Sequence, residues 1–578
     1  MHRERILFGE HVMIRQALDA FSPSRRTLLK TAGLTVGASM LPFGAAFGQA
    51  AGKPARYRRY NASGSKTGAR MLQSYAKAVR AMLALPPEDP RNWYRIAMVH
   101  TLDCPHGNWW LLPWHRGYLG WFEQICRELS GDPHFALPYW DWTAEQKVPS
   151  GMFDDVLDPN NAAYIPNAQE FESRLKTALA NTDYWTSPDG VFNRNTRYGQ
   201  LLIRKFRFAD DIMFDIVGDP SGPLYYDQSR ARGIRREQPA LSVATIDAVS
   251  TATIQAALAA PDFPTFGSLK SANHHTMAGF SVIEGRPHNS IHRCVGSRDC
   301  NFMDAQGFMN NFLSPVDPIF FLHHANLDRL WDVWTRKQQL LGLPVLPSGV
   351  ELRTDLPDDQ KSAEEKNTDY YRWAREPVLF FVDSKGKEVT RTRAEDYAWM
   401  SAFDYDYEPG SGEEVVRWAG SQPRPRLAAR RVYTGKVQSR LVTGTKAASA
   451  TVQLPASSIG QAGTMGSTLV ANVTLNFSER TCDAFVVILN GPEDPTGVEP
   501  GSPFYLATIT MIGGHGTCGA LSYALPLGDK LGQAGAAQAL AADGSLRLRV
   551  LPMHAMMGHG GMGSDNPVEL LAVNVESY

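Results

Sequence analysis

Between residues 70 and 340 the apolar positions recur at helical spacing. In "WHRGYLGWFEQICREL", Tyr118, Leu119, Phe122 and Cys126 follow His115 by three, four, seven and eleven residues, so all five share one helical face. A histidine therefore lies on the side that enters the core. "HNSIH" repeats the arrangement, with His288 and His292 one turn apart on a single face. Residues 150–270 are more polar and predict loops and short helices. The period changes near residue 376. "PVLFFVDSKGKEVTRTR" reads as strand, glycine-containing turn and strand, and the Gly/Ser/Pro/Arg-rich stretch at 409–430 suits a linker. Beyond it, "TLVANVTLNF", "DAFVVILN", "FYLATITMI", "SLRLRVLP" and "VELLAVNV" are strand-like, several of them alternating, with turn residues between. They predict a C-terminal β-sandwich of about 140 residues after a mainly α region.

Composition narrows the class. A chain of 578 residues has room for two or three domains, and 43% hydrophobic with 20% charged residues reads as globular. The 58 basic and 59 acidic groups nearly cancel, which leaves no field to attract nucleic acid or an anionic membrane. The first 50 residues read as a processing segment. Ser24-Arg25-Arg26-Thr27-Leu28-Leu29-Lys30 precedes a mildly apolar Gly/Ala-rich run and small residues near Gln49-Ala50-Ala51. This resembles a bacterial twin-arginine export signal, whose machinery carries folded proteins to the periplasm or outside the cell. No other segment is long and apolar enough for stable membrane insertion. An oxidising destination permits disulfides, and Cys294–Cys300 and Cys482–Cys518 are the expected pairs, with Cys126 a buried helix residue.

The candidate chemistry lies in the histidines. Seven of the 15 fall in two regions, "VHTLDCPHGNWWLLPWHRG" and the span from "EGRPHNSIH" to "FFLHHANLD". Singly, each is best read as a packed core residue. Jointly, six buried nitrogen donors each need a polar partner, and two metal ions supply all six. The groups are His100, His106 and His115, then His288, His292 and one of His323 and His324, both of which have apolar partners at helical spacing. Imidazole suits zinc, copper, iron and nickel alike, while no carboxylate repeats at ligand spacing beside the histidines.

These blocks resemble the two copper-binding regions of the tyrosinase / polyphenol oxidase family. The first is carried by His106, "GNWWLLPW", His115-Arg116, Leu119 and Glu123; the second by Asp317-Pro318, Phe320, Phe321, His324 and Asp328. Leu111 stands where the family usually has Phe. The resemblance spans roughly residues 90–335 and implies His324 as the sixth ligand. It implies two copper ions per chain in a four-helix bundle, with O2 and phenolic small molecules as substrates. The expected activity is ortho-hydroxylation of monophenols and oxidation of o-diphenols to o-quinones. Cys104-Pro105-His106 matches a pattern in which the cysteine sulfur is joined to the histidine ring by a thioether. Glu284, four residues before His288, and Asn289 just after it match a pair proposed to hold the water that deprotonates a monophenol. "FDYDYEP", with Tyr405 and Tyr407, and the β-rich tail are similar to plant polyphenol oxidases, whose C-terminal domain covers the site.

The expected organisation is an export signal at 1–50, a catalytic domain at 51–375, a strand, Tyr-motif and linker segment at 376–430, and a β-sandwich lid at 431–578. Met553, His554, Met556, Met557, His559 and Met562 form a Gly-rich thioether and imidazole loop, expected to load copper, since soft donors favour Cu(I). The competing readings are a catechol oxidase without monophenolase activity, a hemocyanin-like oxygen carrier and a zinc-binding structural module. Oligomeric state is left open.

Overall fold

The computed structural model describes residues 55–180, 209–220, 222, 224–227, 232–302, 304, 307–349, 357–423, 430–442, 446–459, 465–477, 484–495, 497–510, 519–531, 544–553 and 568–578. The export segment, Cys482, Cys518 and the part of the Met/His loop from His554 to Met562 lie outside these residues; Met553 is described and buried.

Three helices open the described chain after a short strand, β1 (Tyr57–Arg59): α1 (Lys66–Ala84), α2 (Trp93–Asp103) and α3 (Leu111–Ser130). The starts of the first two are written in the sequence. The Ser65 hydroxyl caps α1 by accepting from Gly68 N, and the Asn92 side chain accepts from Tyr94 N at the head of α2. At the end of α3, Gly131 takes the left-handed conformation, φ 68°, that stops a helix. Helix α4 (Asn289–Val295) follows a π-helical turn at Glu284–His288 that contains Pro287. Proline offers no N–H to a regular α-helical ladder, and a widened turn accommodates that loss. Helix α5 (Ile319–Leu341) is the longest among the described residues, and buried Val415 and Ala419 lie on α6 (Glu413–Ser421), which packs on it. Helix α3 packs against both α1 and α5. Gly120 on α3 permits a close approach: a Cβ there would stand 2.2 Å from the Phe403 ring.

Two stretches differ from the sequence reading. Residues 377–393 double back through isolated bridges, Pro377 with Arg393 and Val382 with Glu388, rather than two regular strands. Phe380 between them has φ 65°, which breaks the extended pairing, while Val378, Leu379 and Phe381 turn into the core. The stretch expected to be linker is helical at α6, because its apolar residues find a partner in α5. Residues 376–421 thus pack with the helical body, well past residue 375.

The C-terminal region holds two sheets around a core of its own. Strands β5 (Lys436–Ser439), β7 (Ala448–Gln453), β9 (Phe485–Leu489), β10 (Tyr505–Ile509) and β12 (Ser545–Pro552) form one, in the order β10-β9-β12-β7-β5. The other runs β2-β11-β8-β13-β4, with β2 at Gly279–Phe280, β4 at Arg431–Thr434, β8 at Leu469–Phe477, β11 at Gly519–Pro526 and β13 at Val568–Ser577, and β6 (Leu441–Val442) pairing with β13. The burial of β8 alternates strictly from Ala471 onward, as a strand with one face in a core requires. Strand β2 belongs to the helical body by sequence, yet it pairs in parallel with Ser522 and Tyr523 of β11, and Phe280 stacks on Tyr523 at 5.1 Å. The two regions are therefore joined by backbone pairing as well as by packing. Among the described residues no helix is long and apolar enough to cross a membrane.

Candidate metal centre

Each histidine of the first region is placed by a different element: His100 by the last turns of α2, His106 by the turn that follows, and His115 by the first turns of α3. The second group comes from His288 at the end of the π-helical turn, His292 on α4, and His323 and His324 on α5. Two clusters of ring nitrogens result, His100/His106/His115 and His288/His292/His323/His324, each within 4.8 Å among its members. The clusters face one another. His115 stacks on His324 with ring centroids 4.1 Å apart, and His106 lies 5.5 Å from His288.

The hydrogen bonds fix which way the rings present their lone pairs. His100 Nδ1 meets Phe312 O at 2.8 Å, His115 Nδ1 meets Leu111 O at 2.8 Å, and His292 Nδ1 meets Met309 O at 2.7 Å. A carbonyl only accepts, so each Nδ1 carries the proton and each Nε2 carries a lone pair. His288 Nδ1 likewise faces Asn289 Oδ1 at 2.8 Å. The Nε2 atoms of His100, His106, His115 and His288 are buried without a hydrogen-bond partner. His292 Nε2 and His324 Nε2 stand 3.2 Å apart, a contact that needs a shared proton or cation. Burial pushes the pKa of all six down, His115 to about 3 and His292 to about 4, so the rings are neutral at neutral pH. Neutral imidazoles with unpartnered lone pairs in a buried, aromatic-walled space fit metal ions. The walls include Trp114, 4.9 Å from His115, and Phe320, 5.0 Å from His100.

His323 is different. The Trp142 indole N–H, which can only donate, points at His323 Nδ1 from 3.1 Å. Its proton must then sit on Nε2, the wrong tautomer for a ligand facing the cluster through that atom. His324 suffers no such conflict.

Glu284 is fully buried beside the first group. Its Oε1 accepts from Gly107 N at 2.6 Å and its Oε2 from the Ser268 hydroxyl. Gly107, at φ 62°, makes the left-handed turn that aims its N–H this way. Burial raises the Glu284 pKa to about 8. Asn289 gives its oxygen to His288 and its amide to Thr510 O, 3.2 Å away at the end of β10. Cys104 Sγ is 3.4 Å from His106 Nδ1, and a disulfide joins Cys294 to Cys300 just past His292.

A buried ionic network braces both groups. Asp328, one turn after His324, receives Arg116 Nε at 2.6 Å, Arg59 at 3.2 Å and the hydroxyls of Tyr407, at 2.6 Å, and Tyr405. Glu123 receives Arg59 Nε at 2.8 Å, Leu137 N at 2.8 Å and Arg127. The Tyr-x-Tyr segment, β3 (Tyr405–Tyr407), pairs in parallel with β1, and this brings Arg59 into the network. Arg59 has no local signal in the sequence; only the β1–β3 pairing reveals it. Arg232 is a second such residue. Its Nε is 3.0 Å from Asp317, which in turn accepts from Ile319 N at the head of α5.

With this geometry in place, the chain can be set beside known proteins. The family profile described as "Common central domain of tyrosinase" matches residues 90–337. A chloroplastic polyphenol oxidase of Malus domestica is 27% identical over 64% of this chain, and a (+)-larreatricin hydroxylase of Larrea tridentata is 27% identical over 65%. The chain spans about half the length of these relatives, 50% and 52% respectively. In fold it is similar to a latent aurone synthase (polyphenol oxidase), with a TM-score of 0.52, 18% identity and 90% of each chain covered. The correspondence includes the β-rich C-terminal region. Residues 90–337 therefore match the common central domain of tyrosinase, in a chain related to plant polyphenol oxidases.

Proposed function

We propose that this chain oxidises phenols with O2 at a two-copper centre, hydroxylating monophenols and converting o-diphenols to o-quinones. The observation that carries the reading is the convergence of neutral, lone-pair-bearing Nε2 atoms from two facing groups. His100, His106 and His115 would hold one ion and His288, His292 and His324 the other, with α2, α3, α4 and α5, which carry or flank them, acting as a four-helix bundle. Copper bound there supplies O2 activation and takes electrons from the phenol. The protein's share is to hold the six rings in place, exclude water and orient the substrate ring. In this reading Glu284 and Asn289 hold a water that accepts the phenol proton; each retains lone-pair capacity beyond the bonds described. At a raised pKa, Glu284 is a better proton acceptor than an ordinary carboxylate once ionised.

Three features complete the proposal. The contact between Cys104 and the His106 ring supports a thioether between the sulfur and a ring carbon, formed as the thiol hydrogen and one ring hydrogen leave and O2 takes the two electrons to become hydrogen peroxide. The fold likeness to a latent enzyme, the β2–β11 pairing and the Asn289–Thr510 contact support a C-terminal lid and a latent state. The N-terminal pattern supports twin-arginine export. The test is oxygen uptake with tyrosine and with a catechol, before and after limited proteolysis. Quinone from both substrates supports the reading. Quinone from the catechol alone leaves a catechol oxidase, and reversible O2 binding without quinone from either, even after proteolysis, refutes both.

A further inference from the structure

We propose that Asp103, His274 and His275 form a third metal-binding site, separate from the six-histidine centre and suited to a divalent ion of the zinc or cobalt type. Their ligand atoms lie within 4.8 Å of one another. His274 Nε2 is 3.2 Å and His275 Nε2 3.7 Å from the same oxygen, Asp103 Oδ1. The other oxygen is engaged elsewhere, accepting from Trp114 Nε1 at 2.9 Å and Leu379 N at 2.8 Å. Those two bonds set the plane of the carboxylate and turn Oδ1 toward the imidazoles.

His274 is held from behind. Its Nδ1 and its backbone N both meet Glu376 Oε1, at 2.8 and 3.0 Å, and its carbonyl accepts from Asn108 Nδ2 at 2.9 Å. A carboxylate behind one ring nitrogen fixes the tautomer of a metal-ligating imidazole and raises its basicity. Three protein ligands leave a fourth tetrahedral position for water. The His275 side chain is 15% exposed, which gives an ion a route from solvent. The charges favour a dication as well. A proton on His274 offsets one of the two carboxylates around it, whereas a divalent ion offsets both. Such an ion would tie the end of α2, directly before Cys104, to the 270–278 loop and to Glu376. The proposal stands independently of the copper reading, since it uses none of the six histidines.

The test uses the full chain, loaded with copper and freed of excess, titrated with cobalt(II). Visible absorption and elemental analysis report binding. The wild type is expected to take one cobalt beyond its copper. His275→Ala should bind it at least about tenfold more weakly and Glu376→Gln about 10–100-fold more weakly, with copper content unchanged in both. A wild type that takes no additional cobalt overturns the site, as does a His275→Ala protein that binds it as tightly as the wild type. The cluster is then an imidazolium held between two carboxylates. Copper content is read in the same samples, so a failure of the six-histidine reading is seen separately.

Discussion

The first histidine group is oriented within the helical body, where His100 and His115 lean on the carbonyls of Phe312 and Leu111. The second group also leans on the C-terminal sheets. His288 is held by Asn289, whose amide is held by Thr510 O, and Arg286, two residues before His288, donates to Thr508 O at 3.2 Å and to Asp247 at 2.7 Å. The difference teaches that a movement of the β region reaches one half of the centre first. The first group owes its geometry to α2, α3, the turn between them and the Phe312 carbonyl, all within the helical body, and the second shares its supports with a neighbouring fold.

The harshest way to break the comparison is to remove a ligand from either side. His100→Ala and His292→Ala should each lower copper to about one ion per chain and cut phenol oxidation by more than about a hundredfold, since even losing an outer partner of a ligand costs 10–100-fold. Next in size is the brace common to both groups. Asp328→Ala leaves Arg59 and Arg116 buried without their shared carboxylate, and denaturant unfolding should show a loss of about 3–5 kcal/mol. Arg286→Ala sharpens the comparison, because it removes a charged hydrogen bond to the β region worth about 2 kcal/mol. Activation by protease or detergent should then need a lower dose, with copper in the first group untouched. Asn289→Gly should depress tyrosine hydroxylation more than catechol oxidation; equal losses would reduce Asn289 to a prop for His288.

The effect that is smallest per pH unit is remote from both groups. Burial lowers the Lys337 pKa to about 7, while its ammonium donates to Leu258 O at 2.6 Å. Between about pH 7 and 10 the unfolded chain binds a proton there that the folded chain does not, so stability rises with pH across that window. The slope is on the order of 1 kcal/mol per pH unit, and Lys337→Met should flatten it in unfolding curves measured at several pH values.

Much of this was legible in the sequence because helices and strands write their burial as a period. His115 on the face of Tyr118 and Phe122, and the alternation of β8, were readable for that reason. The period alone did not choose between His323 and His324, since both have apolar neighbours at helical spacing; the family motif implies His324, and the Trp142 N–H aimed at His323 Nδ1, a contact across 181 residues, supports that choice. Arg59 and Arg232 were invisible for the same reason, since each finds its carboxylate only after distant segments meet. The helix at 413–421 was hidden by flanking Gly, Ser and Pro, which dominate composition but not packing. The Asp103/His274/His275 cluster joins residues 171 apart and has no local motif.

The central claim is that two facing histidine groups hold a copper pair. Its most direct test is copper content per chain, measured with the near-ultraviolet spectrum after hydrogen peroxide is added. The account predicts two copper ions per chain and a strong new band that His100→Ala and His292→Ala both abolish. No more than one copper per chain, or a full complement of zinc with no band, would contradict it.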